Sequence, residues 1–593
     1  LKRSVALAAL AVTPAAVAQA PQYEIAFASF APLNSDLFIA NADGSGARPL
    51  LPHPEADANA SFSSDGRWIV FTSRRAGSSD VYRVRPDGTG LEALVSDKAY
   101  DDQAALSPDG RTLAFVSSRS GGADIWLLDM RTRAVRNLTQ APGGDFRPAW
   151  SPDGKSIAFS SDRGSSKPRQ PARDFTIRHS TEIHVIRADG TGLRRLSVDN
   201  AFAGSPVWSK DGRRLAFYTA SIPEVAKVTG ARRLRGTTQI ETLDVVSGQR
   251  TVLTAGDGEK WSPRWMDRSR IAYVSGGPQG GVERIGGTPG ARGTFGGPAW
   301  SPDGRTMVFH RDVDSAWPPN HVWPSLDPRF RIVRTGIFPS YSPDGAERVS
   351  NDQTAGILHN GILAMKADGS GARLLFGHPV HSALAPDWSR DGKRIAFGYG
   401  RFFQNQLGPA RADIAVIDAH GAGLTVLTDG TGNYALPSWS PDGRSLVFRK
   451  ADPGGNALEI VDVATKARRP LLSGPAHYNF PAWSPTSGTI AFTADIDGDY
   501  EIWTIDADGT GLRRLTVSPG NDAHNSWSPD GKWIAFASAR GGFKDEALLH
   551  PANPQPYGEI YVMRSDGSEA HALTDEPYEK GTPAWRPIRA ADR

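Results

Sequence analysis

Trp150-Ser151-Pro152-Asp153-Gly154-Lys155-Ser156-Ile157-Ala158-Phe159 decides the fold, because versions of it recur along the whole chain. Pro and Asp-Gly make a tight turn, the Gly taking a positive φ that a Cβ would resist. An aromatic residue leads into the turn and an Ile-Ala-Phe-like triplet leads out, so both flanks read as strands. Full units begin at Phe62, Leu106, Trp150, Trp208, Trp265, Trp300, Tyr341, Trp388, Trp439, Trp483 and Trp527, and a last lead stands alone at Trp585. Each unit then carries a Glu-Ile-Trp-like piece and an Arg-Arg-Leu-Thr-like piece, clearest at Glu501-Ile502-Trp503-Thr504 and Arg513-Arg514-Leu515-Thr516 around Asp508-Gly509. Four antiparallel strands in about 40–45 residues is the arithmetic of a propeller blade.

Counting the triplets predicts an all-β protein of two tandem six-bladed β-propellers, twelve four-stranded blades in all, since single rings hold about four to eight blades. The first triplet, Glu24-Ile25-Ala26-Phe27, lacks its lead strand, and the spare lead at Trp585 is predicted to pair with it and remove a free edge. Gly286-Gly287, Gly290, Gly293 and Gly296-Gly297 loosen the chain near the midpoint. The expected division is a signal peptide over residues 1–20, a first propeller over 21–297 and a second over 298–593; the alternative reading of the Gly run is a loop on a degenerate blade.

The totals agree with a turn-rich β-protein: 63 Gly and 44 Pro in 593 residues, with 39% hydrophobic content. Sixty-seven Lys and Arg against 64 Asp and Glu leave a net charge of +3, which offers no polyanion-sized patch and argues against nucleic acid as a partner. The absence of cysteine excludes disulfides, thiolate metal sites and Cys nucleophiles. Lys2 and Arg3 precede an apolar run from Val5 to Val17 that ends in Ala18-Gln19-Ala20, the pattern of an export signal. A periplasmic or secreted protein is expected, peripheral to a membrane at most, because no later stretch reaches the roughly 18 apolar residues of a span.

The Trp-Ser-Pro-Asp-Gly unit, followed by Ile-Ala-Phe and by Ala-Asp-Gly-Thr-Gly-Leu-Arg-Arg-Leu, resembles the repeat of TolB-like propellers. Clear copies stand at 150–159 with 188–196, at 483–492 with 507–515, and at 527–536. The resemblance covers nearly everything after the signal. It implies either an envelope scaffold, as TolB is in the Tol–Pal system, or the chemistry of oligogalacturonate lyases, whose propellers are built from similar repeats. Similar repeats also form the lids of prolyl oligopeptidases, but no α/β-hydrolase half is visible in this sequence.

Function is expected where the repeat is interrupted. Residues 310–381 hold five of the thirteen histidines, His310, His321, His359, His378 and His381, together with the off-motif Trp317 and Trp323. Asp312, Arg331, Asn351 and Asp352 lie in the same segment. Histidine, carboxylate, Arg and exposed aromatic residues suit a polar ring-shaped ligand such as a sugar. Two further inserts, through Arg401 to Gln404 and through Phe543-Lys544-Asp545-Glu546 to Gln555 and Tyr557, fall between the second and third strands of their blades. They are expected to roof a common pocket over the hub of the second ring.

Two functions follow. In one, the second ring binds and cleaves an acidic polysaccharide by β-elimination, with Arg331 or Arg401 on the substrate carboxylate, His310, His359 or His381 as base, and Tyr557 as proton donor. Trp317, Trp323, Asp312, Asn351, Asp352, Gln404 and Gln555 would then bind the glycan. In the other, a non-catalytic scaffold grips an envelope protein or glycan. No cofactor is required by either; a divalent metal stays open, since His378-x-x-His381 supplies two ligands but no third. Asp495-Ile496-Asp497-Gly498-Asp499-Tyr500-Glu501 has the composition of a calcium loop without EF-hand spacing, and reads as an acidic turn.

Overall fold

The computed structural model describes residues 21–29, 31, 34–164, 181–197, 201–221, 237–267, 269–277, 279–314, 320–351, 361–401, 411–452, 455–546 and 558–587. All regular structure among them is β-strand. The expected signal segment, and most of the inserts at 163–181 and 219–238, lie outside the described residues.

The repeat turn forms as its residues dictate. In the copy at 151–156 the Ser151 hydroxyl donates to Asp153 Oδ1 at 2.6 Å, the Lys155 N–H donates to the same oxygen at 3.1 Å, and Gly154 takes φ 70°. The hydroxyl and then the backbone bond hold the Asp153 carboxyl below its usual pKa. Most lead tryptophans tie their blade to the one before: the indole N–H of Trp150 donates to Ala105 O at 3.0 Å, that of Trp439 to Asp387 O at 3.0 Å, and that of Trp585 to Ser526 O at 3.0 Å. At these positions an indole fills the gap between sheets while satisfying its one donor.

The sheets close into two cycles of six. Ring one has the inner strands Asp57–Phe62, Asp101–Leu106, Asp145–Trp150, Ala201–Trp208, Lys260–Trp265 and Gly296–Trp300, each packed on the next and the last packed back on the first. Ring two has Ser340–Tyr341, Ser382–Trp388, Asn433–Trp439, Tyr478–Trp483, Asp522–Trp527 and Lys580–Arg586, closed in the same way.

The division between rings differs from the expected cut at 297/298. Tyr23–Ser29 pairs antiparallel with Lys580–Arg586, Ile25 opposite Trp585, so the spare lead closes ring two. The next strand, Asn34–Asn41, instead pairs with Thr306–Asp314 and closes ring one. The chain therefore crosses between rings after Ser29 and again after Asp314. On the second crossing it enters the outer edge of the closing blade, as His321–Trp323 and then Phe330–Thr335, so Phe330–Thr335 runs parallel to Tyr23–Ser29 where a hairpin would have run antiparallel. Gly286 to Gly293 of the Gly run belong to the preceding blade, which has three strands and an isolated bridge from Gly281 to Arg292, while Gly296 and Gly297 open the inner strand of the closing blade. The run marks the degenerate blade and not a seam. A Cβ on Gly290 would lie 2.3 Å from Asp43 O, so the close approach there requires glycine.

Every inner strand carries one residue of positive φ, within it or just ahead of it. In ring one these are Asn59, Gln103, Arg147, Ser205, Ser262 and Gly297; in ring two Phe338, Ala385, Leu436, Phe480, His524 and Thr582. A bulge adds a residue to one strand and re-aims the next side chains, so the two sets mark the tightest tier of each hub. Ring one is polar there. Ring two is filled: Ala385 and Leu436 pack with Leu384, Ala412 and Ala435, against Phe338 and Phe480, and His524 sits edge-on to Phe480 with ring centroids 4.2 Å apart.

Candidate ligand-binding channel of ring one

The insert Phe543–Glu546 leaves ring two and enters the hub of ring one, instead of roofing its own ring. Phe543 packs with Val116, Ala123 and Phe146 of ring one. The Gln103 side-chain amide donates to Lys544 O at 3.1 Å. Arg147 Nε donates to Asp545 Oδ1 at 2.8 Å and its Nη2 meets Oδ2. Glu546, fully buried, accepts from the hydroxyls of Ser160, Ser205 (2.8 Å) and Tyr218 (2.9 Å) and from the Ser205 N–H.

These contacts set the charges. Burial raises the Glu546 pKa against the pull of Arg147. Burial alone would lower that of Arg147, but the Asp545 carboxylate overrides it and holds the guanidinium above its ordinary value. Behind the tip, Lys544 Nζ reaches Glu559 at 2.8 Å and also contacts Asp575. Burial pushes Glu559 up, yet Lys544 and Lys580 win and bring it to about 2. The stopper is thus anchored by ion pairs on both of its sides.

Above the stopper a cavity of about 460 Å³ runs through ring one to the face carrying the Ser-Pro-Asp-Gly turns. Its floor is the tier of Asn59, Gln103, Arg147 and Ser205. The next tier comes from the residue before each lead aromatic: Ser61, Ala105, Ala149, Val207, Arg264 and Ala299. Arg264 is the one charged member of that tier. Burial acts alone on its pKa, lowering it, and no acceptor bonds it among the described residues. Lys210 stands on the cavity wall beside the turns.

The sequence-predicted residues fall elsewhere. His310 lies in the strand that closes ring one, its ring set against Gly296 and its Nδ1 3.4 Å from the Asn59 N–H; a Cβ on Gly296 would meet His310 Nε2 at 2.3 Å. Asp312 is two residues further along that strand. Arg331 is held by Glu24 across the parallel pair of ring two, with Arg586 on the same carboxylate at 3.3 Å, which commits it to sheet closure. Trp323 is buried, with the guanidinium of Arg74 over its ring at 4.5 Å and that of Arg334 at 5.8 Å, so its faces are taken and no sugar can stack there. Asn351 is buried and joins two blades, donating to Ala383 O at 2.6 Å and accepting from the Ala385 N–H at 3.0 Å.

His381 stacks on His378 at 4.9 Å and meets Tyr399 edge-on at 4.8 Å, and burial, then His378 and Arg401, lowers its pKa. His378 Nδ1 accepts the N–H groups of Val380 and His381, a turn bond that takes one nitrogen from any metal. Arg401 ends the strand Arg394–Arg401 opposite Arg411. His359, Tyr557, Trp317, Asp352, Gln404 and Gln555 lie outside the described residues. The described candidates therefore occupy three places: the closing blade of ring one, the closing blade of ring two, and the neighbouring blades around Asn351 and His381.

Among the described residues no three His, Asp or Glu side chains are placed to hold a metal ion. In the acidic turn, Asp497 and Glu501 pair with Arg514 at 3.0 and 2.9 Å, and Asp495 with His477 at 3.1 Å. What sequence reasoning missed is Arg264. Aligning the lead strands would have exposed it, since the other five units of ring one carry Ser, Ala or Val at that position and Arg264 is the one cation among all twelve.

Residues 88–169 and 401–587 match the family model of the TolB beta propeller domain. Among characterised proteins, dipeptidyl-peptidase 5 of Porphyromonas gingivalis is 24% identical over 292 residues, 44% of this chain and 40% of that protein. The Tol-Pal system protein TolB of Nitratidesulfovibrio vulgaris is 31% identical over 107 residues, 16% of this chain and 24% of that one. The chain thus spans 40% or less of the length of these relatives. Among solved structures, a TolB from Agrobacterium tumefaciens described as putative is 22% identical, covering 47% of this chain and 98% of its own, with a TM-score of 0.35. No helix among the described residues is long and apolar enough to cross a membrane. From its repeats and from the matched domain, the chain is a TolB-like β-propeller protein.

Proposed function

We propose that the protein is a non-catalytic binding scaffold of the cell envelope, whose ring-one channel receives an extended segment of a partner. The observation that carries this reading is the cavity of about 460 Å³, open at the turn face and stoppered at its far end by Phe543–Glu546. Ring two, with an apolar hub, serves as the platform that holds the stopper. A polysaccharide lyase would need base, cation and proton donor within reach of one substrate. His310 on the closing blade of ring one, Arg331 on that of ring two, and the neighbouring His381 and Arg401 on a third blade are three separate places, which speaks for the scaffold. The relationship to a Tol-Pal system protein supports placement outside the cytoplasm.

The chain holds no cysteine, so Ser61→Cys gives a unique thiol on the channel wall. Peptides selected for binding from a displayed library are expected to slow the reaction of that thiol with a maleimide. Binders that leave its rate unchanged would overturn the channel reading. Unsaturated-product absorbance from any polyuronate incubated with the pure protein would overturn the non-catalytic one.

A further inference from the structure

We propose that the ring-one channel recognises the carboxylates of an acidic peptide segment, with Arg264 as the fork that takes one of them. This rests on the channel being a binding site, and adds the chemistry of what enters it.

The first argument is position. Six equivalent residues form the middle tier of the channel, and five of them are Ser, Ala or Val. Only Arg264 breaks the set, and nothing in the fold asks for a cation there. A half-buried guanidinium without a carboxylate beside it carries a desolvation cost that an incoming carboxylate removes, and the planar fork of Arg suits two-point binding of one.

The second argument is the channel's own occupant. From the other end, ring one already binds the peptide Phe543-Lys544-Asp545-Glu546. Gln103 takes a backbone carbonyl, Arg147 takes the Asp545 carboxylate, and Ser160, Ser205 and Tyr218 take that of Glu546. The hub is therefore a reader of acidic peptide, with its lower cation filled from within and its upper one facing the open mouth. That the occupant is peptide, bonded through its main chain as well as its carboxylates, favours a protein partner over a uronate glycan. Lys210 at the mouth adds attraction for an acidic chain on its way in.

Three fluorescein-labelled probes test this on the full chain: amide-capped hexaglutamate, amide-capped hexaglutamine and trigalacturonate, followed by anisotropy at low salt and by protection of the introduced thiol in the S61C protein. Hexaglutamate is expected to bind and to protect that thiol, with hexaglutamine at least tenfold weaker. Arg264→Ala, which installs the residue found at three equivalent positions and so should fold, is expected to weaken hexaglutamate at least tenfold. Equal binding of hexaglutamate by R264A, or of hexaglutamine by the unchanged channel, overturns the proposal. Protection by trigalacturonate but not hexaglutamate also overturns it, in favour of a glycan. If library-selected peptides protect the thiol and hexaglutamate does not, the acidic-peptide proposal falls while the channel reading stands. If no ligand protects it, both fall.

Discussion

Arg147 and Asp545 stand 398 residues apart and on different rings, yet they meet as a two-point ion pair at the axis of ring one. Asp545 is almost fully buried and Arg147 mostly so. Bidentate guanidinium–carboxylate geometry is the strongest form of such a bond, and it is the contact that makes the stopper part of ring one.

Removing one partner should expose that dependence. Asp545→Asn leaves a buried guanidinium half-satisfied, and a loss of about 3–5 kcal/mol is expected, read as a lower urea midpoint. Arg147→Met combined with Asp545→Leu should recover part of the loss, because neither variant then buries a lone charge. Single and double variants with additive losses would show that the pair does not couple the rings.

The crossing strands predict that the rings cannot be separated at the midpoint. Residues 21–297 lack Thr306–Asp314, the partner of Asn34–Asn41, and residues 298–593 lack Tyr23–Ser29, the strand between Lys580–Arg586 and Phe330–Thr335. Each half alone is expected to be aggregated or unfolded by size exclusion and circular dichroism, and co-expression should yield a complex the size of the whole. Two monomeric, cooperatively melting halves would contradict the pairing.

The number of blades was legible because each unit repeats its own turn chemistry, and Ser151, Asp153 and Gly154 build the same turn wherever they occur. The assignment of strands to rings was not, because Ile25 opposite Trp585 and Leu37 opposite His310 are pairings across hundreds of residues that no local pattern encodes. The same limit explains the site. The histidine-rich segment from His310 to His381 drew notice as an interruption, yet its first described part is the crossover, with His310, His321 and Trp323 packed there, and His378 and His381 lie a blade further on beside Tyr399. Phe543–Glu546 was recognised as an insert, but its destination depends on how the two rings face each other. Arg264 was readable from the repeat itself, as the one cation at a position where the other units carry Ser, Ala or Val and, in a single case, Asp387.

His524 makes the hub of ring two acid-sensitive. It is packed against Phe480, and burial depresses its pKa from 6.5 to about 3. The folded form therefore binds its proton less readily than the unfolded chain, so stability is full above about pH 6.5 and declines as pH falls towards about 3. The expected slope from this group is about 1.4 kcal/mol per pH unit. His524→Gln should flatten the profile of melting temperature against pH in that window while changing it little at pH 8. An unchanged profile would mean the imidazole gains a proton without cost.

A second recurrent pair separates buried from exposed electrostatics. Among the described residues, four blades join the Arg after their second strand to an Asp at the start of their first: Arg75 to Asp57, Arg119 to Asp101, Arg163 to Asp145, and Arg540 to Asp522. In the third, Asp145 is fully buried and 2.6 Å from the guanidinium; burial raises its pKa while Arg163 pulls it back. Arg67 and Asp65, by contrast, meet at 3.7 Å with both side chains largely in solvent. Arg163→Met is expected to cost about 3 kcal/mol or more, and Arg67→Met less than about 1. The buried deficit should also depend on pH. Without Arg163 the folded pKa of Asp145 rises further above its unfolded value, so the proton it then holds favours the folded state at low pH and that advantage is lost as pH rises. The gap between wild type and Arg163→Met should therefore be wider at pH 8 than at pH 5 in urea unfolding. A gap of equal size at both would mean that Asp145 stays charged without its partner.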